Sequence, residues 1–155
     1  MIDPDYLLWR SHEELTQRDR GAPNQTFLRR AVSEFYYALF HELCRQIADQ
    51  HVGATLRREP RYILIYRSLE HGRAKDACKK IAADAASSPQ ASDIAVTFVT
   101  LQEARHQADY NPAPRFRVSE AHAHFLDAET AIRALRAGFP DKALFLTRLL
   151  ARERP

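Results

Sequence analysis

The stretch from Asn24 to about Gln50 constrains the fold of this chain more than any other. Phe27, Ala31, Phe35, Ala38 and Leu39 share one face at helical spacing. Leu28, Val32, Phe35, Leu39 and Leu43 form an adjoining ridge, and Tyr36, Tyr37, Phe40 and Ile47 widen it further. A helix that is apolar nearly all round must be buried against several neighbours or form a subunit interface. Asn24 can cap its start and Gly53 lies just past its end.

The rest of the chain reads as shorter helices divided by Pro, Gly, Ser and Asn. Asp3-Pro4 opens a first helix, expected to run to about Arg18 and to stop before Gly21-Ala22-Pro23. A third helix is expected from near Pro60 to about Ala83, with Gly72 weakening its middle. Ser88-Pro89 opens a fourth, which ends at Asn111-Pro112. Ser119 can cap a fifth, which runs to about Ala137 before Gly138. Pro140 opens a short sixth helix. Ile63-Leu64-Ile65-Tyr66 is the only β-like run, and its helix-forming flanks favour helix. The expectation from the residues alone is an all-α protein: one domain over residues 1–155, folded as an antiparallel helical bundle.

With 155 residues the chain can bury a substantial core, and 45% hydrophobic with 28% charged residues is ordinary for a globular domain. Only four glycines occur and no Gly-rich phosphate loop is present. Cys44 and Cys78 lack a metal-ligand spacing and read as buried free thiols in a reducing cytoplasm. No HExxH or repeated Glu-x-x-His occurs, so neither metal nor cofactor is expected. No signal peptide or membrane span is visible, which gives a cytoplasmic expectation. A net charge of +3 is compatible with a polyanionic partner. Arg57, Arg58 and Arg61 around Pro60, with Arg115 and Arg117 around Phe116, are candidate RNA contacts. A solvated charged surface is the plainer reading of both clusters.

The chemistry concentrates at the end of the fourth helix. Ile94, Phe98, Leu101, Arg105 and Ala108 share one face, so an arginine sits on an apolar stripe. Burying it requires a partner or a task. Asp109, one turn on, can pair with it. Metal-free RNA cleavage needs a base, an acid and a cation for the phosphorane. Arg105 could be the cation, with His106, Asp109 and Tyr110 beside it in sequence. Tyr110 is a weak base, but it can donate a hydrogen bond or stack on a nucleobase.

Two blocks carry a resemblance. Arg30-Ala31-Val32-Ser33-Glu34-Phe35-Tyr36-Tyr37-Ala38-Leu39-Phe40-His41 and Leu101-Gln102-x-x-Arg105-x-x-Ala108-Asp109-Tyr110 together resemble the HEPN superfamily. These are small all-α domains of prokaryotic toxin–antitoxin and RNA-processing systems. The resemblance spans roughly residues 24–137. It implies a dimeric, antiparallel up-and-down four-helix bundle with its core at about 24–137 and accessory N- and C-terminal helices, whose Arg-x4–6-His motif lines a cleft between protomers. Arg105 matches the motif arginine, and His106 the polar residue often beside it. Tyr110 stands where the motif histidine would fall, so the proton carrier is left to His106, His41 or His122. The Arg117–His122 spacing also fits the motif, but in the wrong block. The resemblance further implies RNA or a nucleotide as ligand, a homodimer, and a nucleotidyltransferase-type antitoxin as partner. A second reading stands beside it: a non-catalytic dimerisation or interaction module with Arg105–Asp109 as a structural pair.

Overall fold

The computed structural model describes residues 1–16 and 24–152. Among them are seven α-helices and no strand: α1 (Pro4–Thr16), α2 (Gln25–His51), α3 (Pro60–Tyr66), α4 (His71–Ala83), α5 (Pro89–Tyr110), α6 (Val118–Ala137) and α7 (Lys142–Leu150). The expected end of the first helix near Arg18, and the break at Gly21-Ala22-Pro23, lie outside the described residues. No helix among the described residues is long and apolar enough to cross a membrane.

Local chemistry explains most boundaries. Asn24 Oδ1 accepts from the Phe27 amide at 2.9 Å and starts α2. Ser88 Oγ accepts from the Ala91 amide at 3.1 Å, with Pro89 in the first turn of α5. At α6 the cap is Arg117 rather than Ser119. The Glu120 carboxylate accepts from the Arg117 amide at 2.7 Å, so the helix starts two residues earlier than a Ser119 cap would give. Gly138 follows α6 with φ +84°, a left-handed conformation that glycine adopts without strain. The last helix begins at Lys142, two residues after Pro140.

A larger expectation is also corrected. The single helix over Pro60–Ala83 is two helices, broken at residues 67–70 and not at Gly72. Ser68 Oγ accepts no cap role there; it donates back to the Leu64 carbonyl at 2.7 Å, while Leu69 turns inward and is buried. The chain therefore folds back between α3 and α4.

That fold-back sets the helix directions, which follow from the pairings. Tyr62 bonds Asp49 and Tyr66 bonds His41, so α3 runs against α2. The His71 carbonyl accepts from Gln102 and the Ala82 carbonyl from Ser92, so α4 and α5 are antiparallel. Tyr37 meets Arg105 and Arg29 meets Ala108, so α5 runs against α2. Gln25 meets Phe116 and Glu42 meets Arg136, so α6 is parallel to α2.

Helix α2 packs against α1, α3, α5, α6 and α7. This is why its apolar surface wraps around it. Phe35, Tyr36, Leu39, Leu43 and Ile47 are fully buried, joined by Phe98 and Leu101 of α5 and Leu135 of α6. Each such side chain contributes about 1.5–3 kcal/mol relative to exposure. Cys44 and Cys78 are free and buried, and burial pushes both thiols up to about 12, leaving them protonated and unreactive.

One charge is buried with this core. Glu42 is wholly inaccessible and accepts from Arg45, from Gln46 at 2.7 Å and from Arg136 at 3.0 Å. Arg136 also reaches Asp5 at 2.9 Å, which ties α1, α2 and α6 together.

Candidate functional site

Because α5 runs against α2, its last turns lie beside the first half of α2. Arg105 there faces Tyr36 and Tyr37. Its Nη2 donates to Tyr37 Oη at 2.8 Å and to Tyr110 Oη at 3.4 Å. The Arg105 Cζ lies 5.8, 5.3 and 5.4 Å from the ring centroids of Tyr36, Tyr37 and Tyr110. Three tyrosines thus surround one guanidinium, an arrangement that favours the cation. Nε sits 2.9 Å from Asp109 Oδ2, an ion pair not aligned as a hydrogen bond. Asp109 Oδ2 also accepts from Ser33 Oγ at 3.2 Å.

The Arg105 side chain is 16% exposed. Burial works against its charge, but Tyr37 and Asp109 more than offset that, and its pKa is raised. Its Nη1 has no protein partner among the described residues and is not shut off from solvent. One edge of the guanidinium is therefore fixed by the protein and the other is open.

The other sequence candidates are distributed around this point. Tyr110 is 64% exposed and forms the rim, with the exposed His106 ring 5.2 Å from it. His41 bonds Tyr66 Oη through Nδ1 at 2.8 Å, and its ring lies 6.3 Å from Tyr37. No hydrogen bond joins His41 to Arg105 among the described residues. His122 lies against His12 and Phe125 at the α1–α6 joint, away from Arg105. Arg115 borders an open groove of about 510 Å³ together with Gln25, Arg29, Asp109 and Tyr110. Arg117 is exposed at the start of α6. In the other cluster, Arg57 makes two bonds to Asp49, at 3.1 and 2.6 Å, and Arg61 one to Glu59 at 2.7 Å, while Arg58 is exposed. Among the described residues, no three His, Cys, Asp or Glu side chains converge on a possible metal position.

Two residues of the site escaped sequence reasoning. His71, the first residue of α4, stacks on Phe40 at 3.9 Å and meets Tyr36 Oη through Nδ1 at 2.5 Å. Burial and then the Arg105 charge lower its pKa. No local signal marks the helix boundary at residue 70 that places it here. Arg29 is the other. Its guanidinium donates to the carbonyls of Gln107, Ala108, Asn111, Pro112 and Pro114, at 2.5–3.3 Å, and lies 5.5 Å from the Phe116 ring centroid. It closes the C-terminal end of α5, whose last carbonyls have no partner within the helix. Arg29→Ala is expected to cost about 2 kcal/mol, read as a lower urea midpoint. Faster amide exchange in residues 107–116 would show that the loss falls at this junction.

Four histidines, His12, His41, His71 and His124, have pKa values lowered from 6.5, with burial the largest cause in each. They stay neutral in the fold, whereas in the unfolded chain they take up protons near pH 6.5. Below that pH the unfolded state binds more protons, so stability falls as pH drops through about 6.5 and towards the folded values. A melting temperature at pH 5 lower than at pH 7.5, by on the order of 5 °C, is expected. An equal or higher value at pH 5 would contradict the buried neutral state.

No family model, curated protein or solved structure matches this chain.

Proposed function

We propose that this is a HEPN-like helical protein that binds RNA phosphates at Arg105 and cleaves the strand without a metal. In this reading α2, the α3–α4 pair, α5 and α6 make up the four-helix bundle, and α1 and α7 are its accessory helices. The chain works in the cytoplasm as a homodimer, with the cleft between two copies of the Arg105–Tyr110 rim. A nucleotidyltransferase-type antitoxin as partner follows from the HEPN resemblance alone.

The observation that carries the reading is the half-open guanidinium. Tyr37, Tyr110 and Asp109 hold one edge of Arg105, and Nη1 remains for an oxyanion. A fixed cation of this kind stabilises charge that develops on phosphorus with little reorganisation. Tyr110 and His106 at the rim offer ring faces to an unpaired base. Arg115, which borders the groove, and the exposed Arg117 suit the flanking backbone.

The ion pair with Asp109 favours one other reading, in which Arg105 only fixes the end of α5 and the chain is an interaction module. The test is incubation of the purified protein with mixed cellular RNA in EDTA, alongside retention of labelled RNA at rising salt. The nuclease reading expects cleavage, and binding that weakens with a log–log slope of about −0.7 per neutralised phosphate. RNA left intact and unbound would leave the interaction module.

A further inference from the structure

We propose that His71, on a different helix from the sequence motif, is the proton-transfer group of the Arg105 site: Nε2 takes the ribose 2′-hydroxyl proton of a strand whose phosphate rests on Arg105 Nη1. This rests on the RNA-cleaving reading above.

The motif position itself lacks an imidazole, since residue 110 is tyrosine. The fold brings one in from α4. Tyr36 and Tyr37 are consecutive on α2 and bridge the two groups. Tyr36 Oη meets His71 Nδ1 at 2.5 Å, and the Tyr36 ring centroid lies 5.8 Å from Arg105 Cζ. The Tyr37 ring is 6.0 Å from the His71 ring, and its hydroxyl is 2.8 Å from Arg105 Nη2. His71 and Arg105 therefore flank the same pair of tyrosines.

The ring is also oriented for the task. Stacking on Phe40 at 3.9 Å fixes its plane, and the fully buried Tyr36 fixes its Nδ1 edge. Nε2 has no protein partner among the described residues and is in contact with solvent. A base needs such a third group to hold it and one free nitrogen aimed outward. The titratable and charged groups facing His71 are Tyr36, Tyr37 and His41 from α2 and Arg105 from α5. Of these only the Arg105 charge, after burial, lowers the pKa of the imidazole, which favours the neutral form that can accept a proton.

The step balances without a co-reactant. In the Nδ1–H tautomer, His71 donates to Tyr36 Oη and presents the Nε2 lone pair. Nε2 removes the 2′-hydroxyl proton as the 2′-oxygen bonds to phosphorus. The bond from phosphorus to the 5′-oxygen breaks, and its electron pair leaves with that oxygen. The 5′-oxygen takes a proton from water, and the resulting hydroxide recovers the proton held by His71. The products are a 2′,3′-cyclic phosphate and a 5′-hydroxyl.

The experiment uses a 5′-labelled oligouridine, in EDTA, with the full chain and its variants His71→Asn, His106→Ala and His51→Ala. Asparagine keeps a polar partner for Tyr36 and removes Nε2. His51, at the far end of α2, is the control. Binding is followed by anisotropy, cleavage by gel, and the new ends by their phosphates. The expected result is binding of His71→Asn within about threefold of wild type, cleavage lower by about 10²–10⁴-fold, and unchanged cleavage by His51→Ala. The wild-type rate should rise with pH on the acid side of about 6.5 and then level off. Cleavage that survives His71→Asn but is lost in His106→Ala overturns the inference and leaves the RNA-cleaving reading intact. A wild type that binds without cleaving overturns both the inference and the nuclease reading, and one that neither binds nor cleaves removes the RNA reading altogether. Should His71→Asn not fold, carbethoxylation of the wild type takes its place. Inactivation must then track His71 by mass spectrometry and be slowed by the oligomer; inactivation that tracks another histidine overturns the inference.

Discussion

Alanine at both Arg45 and Arg136 is expected to lower the stability of this fold by about 3–5 kcal/mol. Glu42 is fully inaccessible, and these two arginines supply its positive partners. Without them the carboxylate keeps only the Gln46 amide, and an ionised group in the core becomes uncompensated. The effect should be asymmetric. Arg45 is 21% exposed and Arg136 36%, so both can turn to water if the acid is removed. Glu42→Leu alone should therefore cost less, about 1 kcal/mol. Adding Glu42→Leu to the double variant should recover most of the loss, because an apolar side chain suits that site once the arginines are gone. Urea midpoints of the four proteins measure this. A triple variant no more stable than the double would mean that the arginines act through packing rather than through the buried acid.

Lysine at position 105 is expected to leave the fold standing and to lower RNA cleavage by about 10²–10³-fold. A lysine can keep one bond to Tyr37 or approach Asp109. It cannot hold that edge and present a second pair of donors to a phosphate, as the planar guanidinium does. The salt slope of RNA binding should shrink by about 0.7, the share of one phosphate. Melting and cleavage must be read together. A variant that melts several degrees lower yet treats RNA as the wild type does would make Arg105 a structural residue. A variant of unchanged melting temperature and lost cleavage places Arg105 at the chemistry.

Several elements of the fold were legible residue by residue. Asn24, Ser88 and Pro60 mark helix starts because they supply an acceptor or tolerate a missing donor in the first turn. Asn111-Pro112 and Gly138 mark ends for equally local reasons. The apolar surface around α2 required several neighbours, and it has them. The Arg105–Asp109 pair was readable too, since residues four apart on a helix are adjacent whatever else surrounds them.

The break at residues 67–70 was not readable in this way. Leu, Glu, Arg and Ser there are compatible with a continuous helix, and the decision lies in burying Leu69 against the core. Its consequences reach the site. A continuous third helix would have aligned α5 with α2, and Arg105 would lie near the end of α2 rather than opposite Tyr37. Folded back, the chain sends α5 against α2, so that Arg105 meets a tyrosine 68 positions away. The same turn puts His71 at the start of α4, against Tyr36. The sequence by itself determined that the chain is helical, where most helices begin and end, and which pairs meet within one helix, because those depend on backbone and side chains a turn apart. Tertiary structure alone decided which hydroxyls hold Arg105, which histidine stands near it, that Arg29 closes α5, and that Glu42 is buried. Each of those depends on packing between distant segments, and no local periodicity records it.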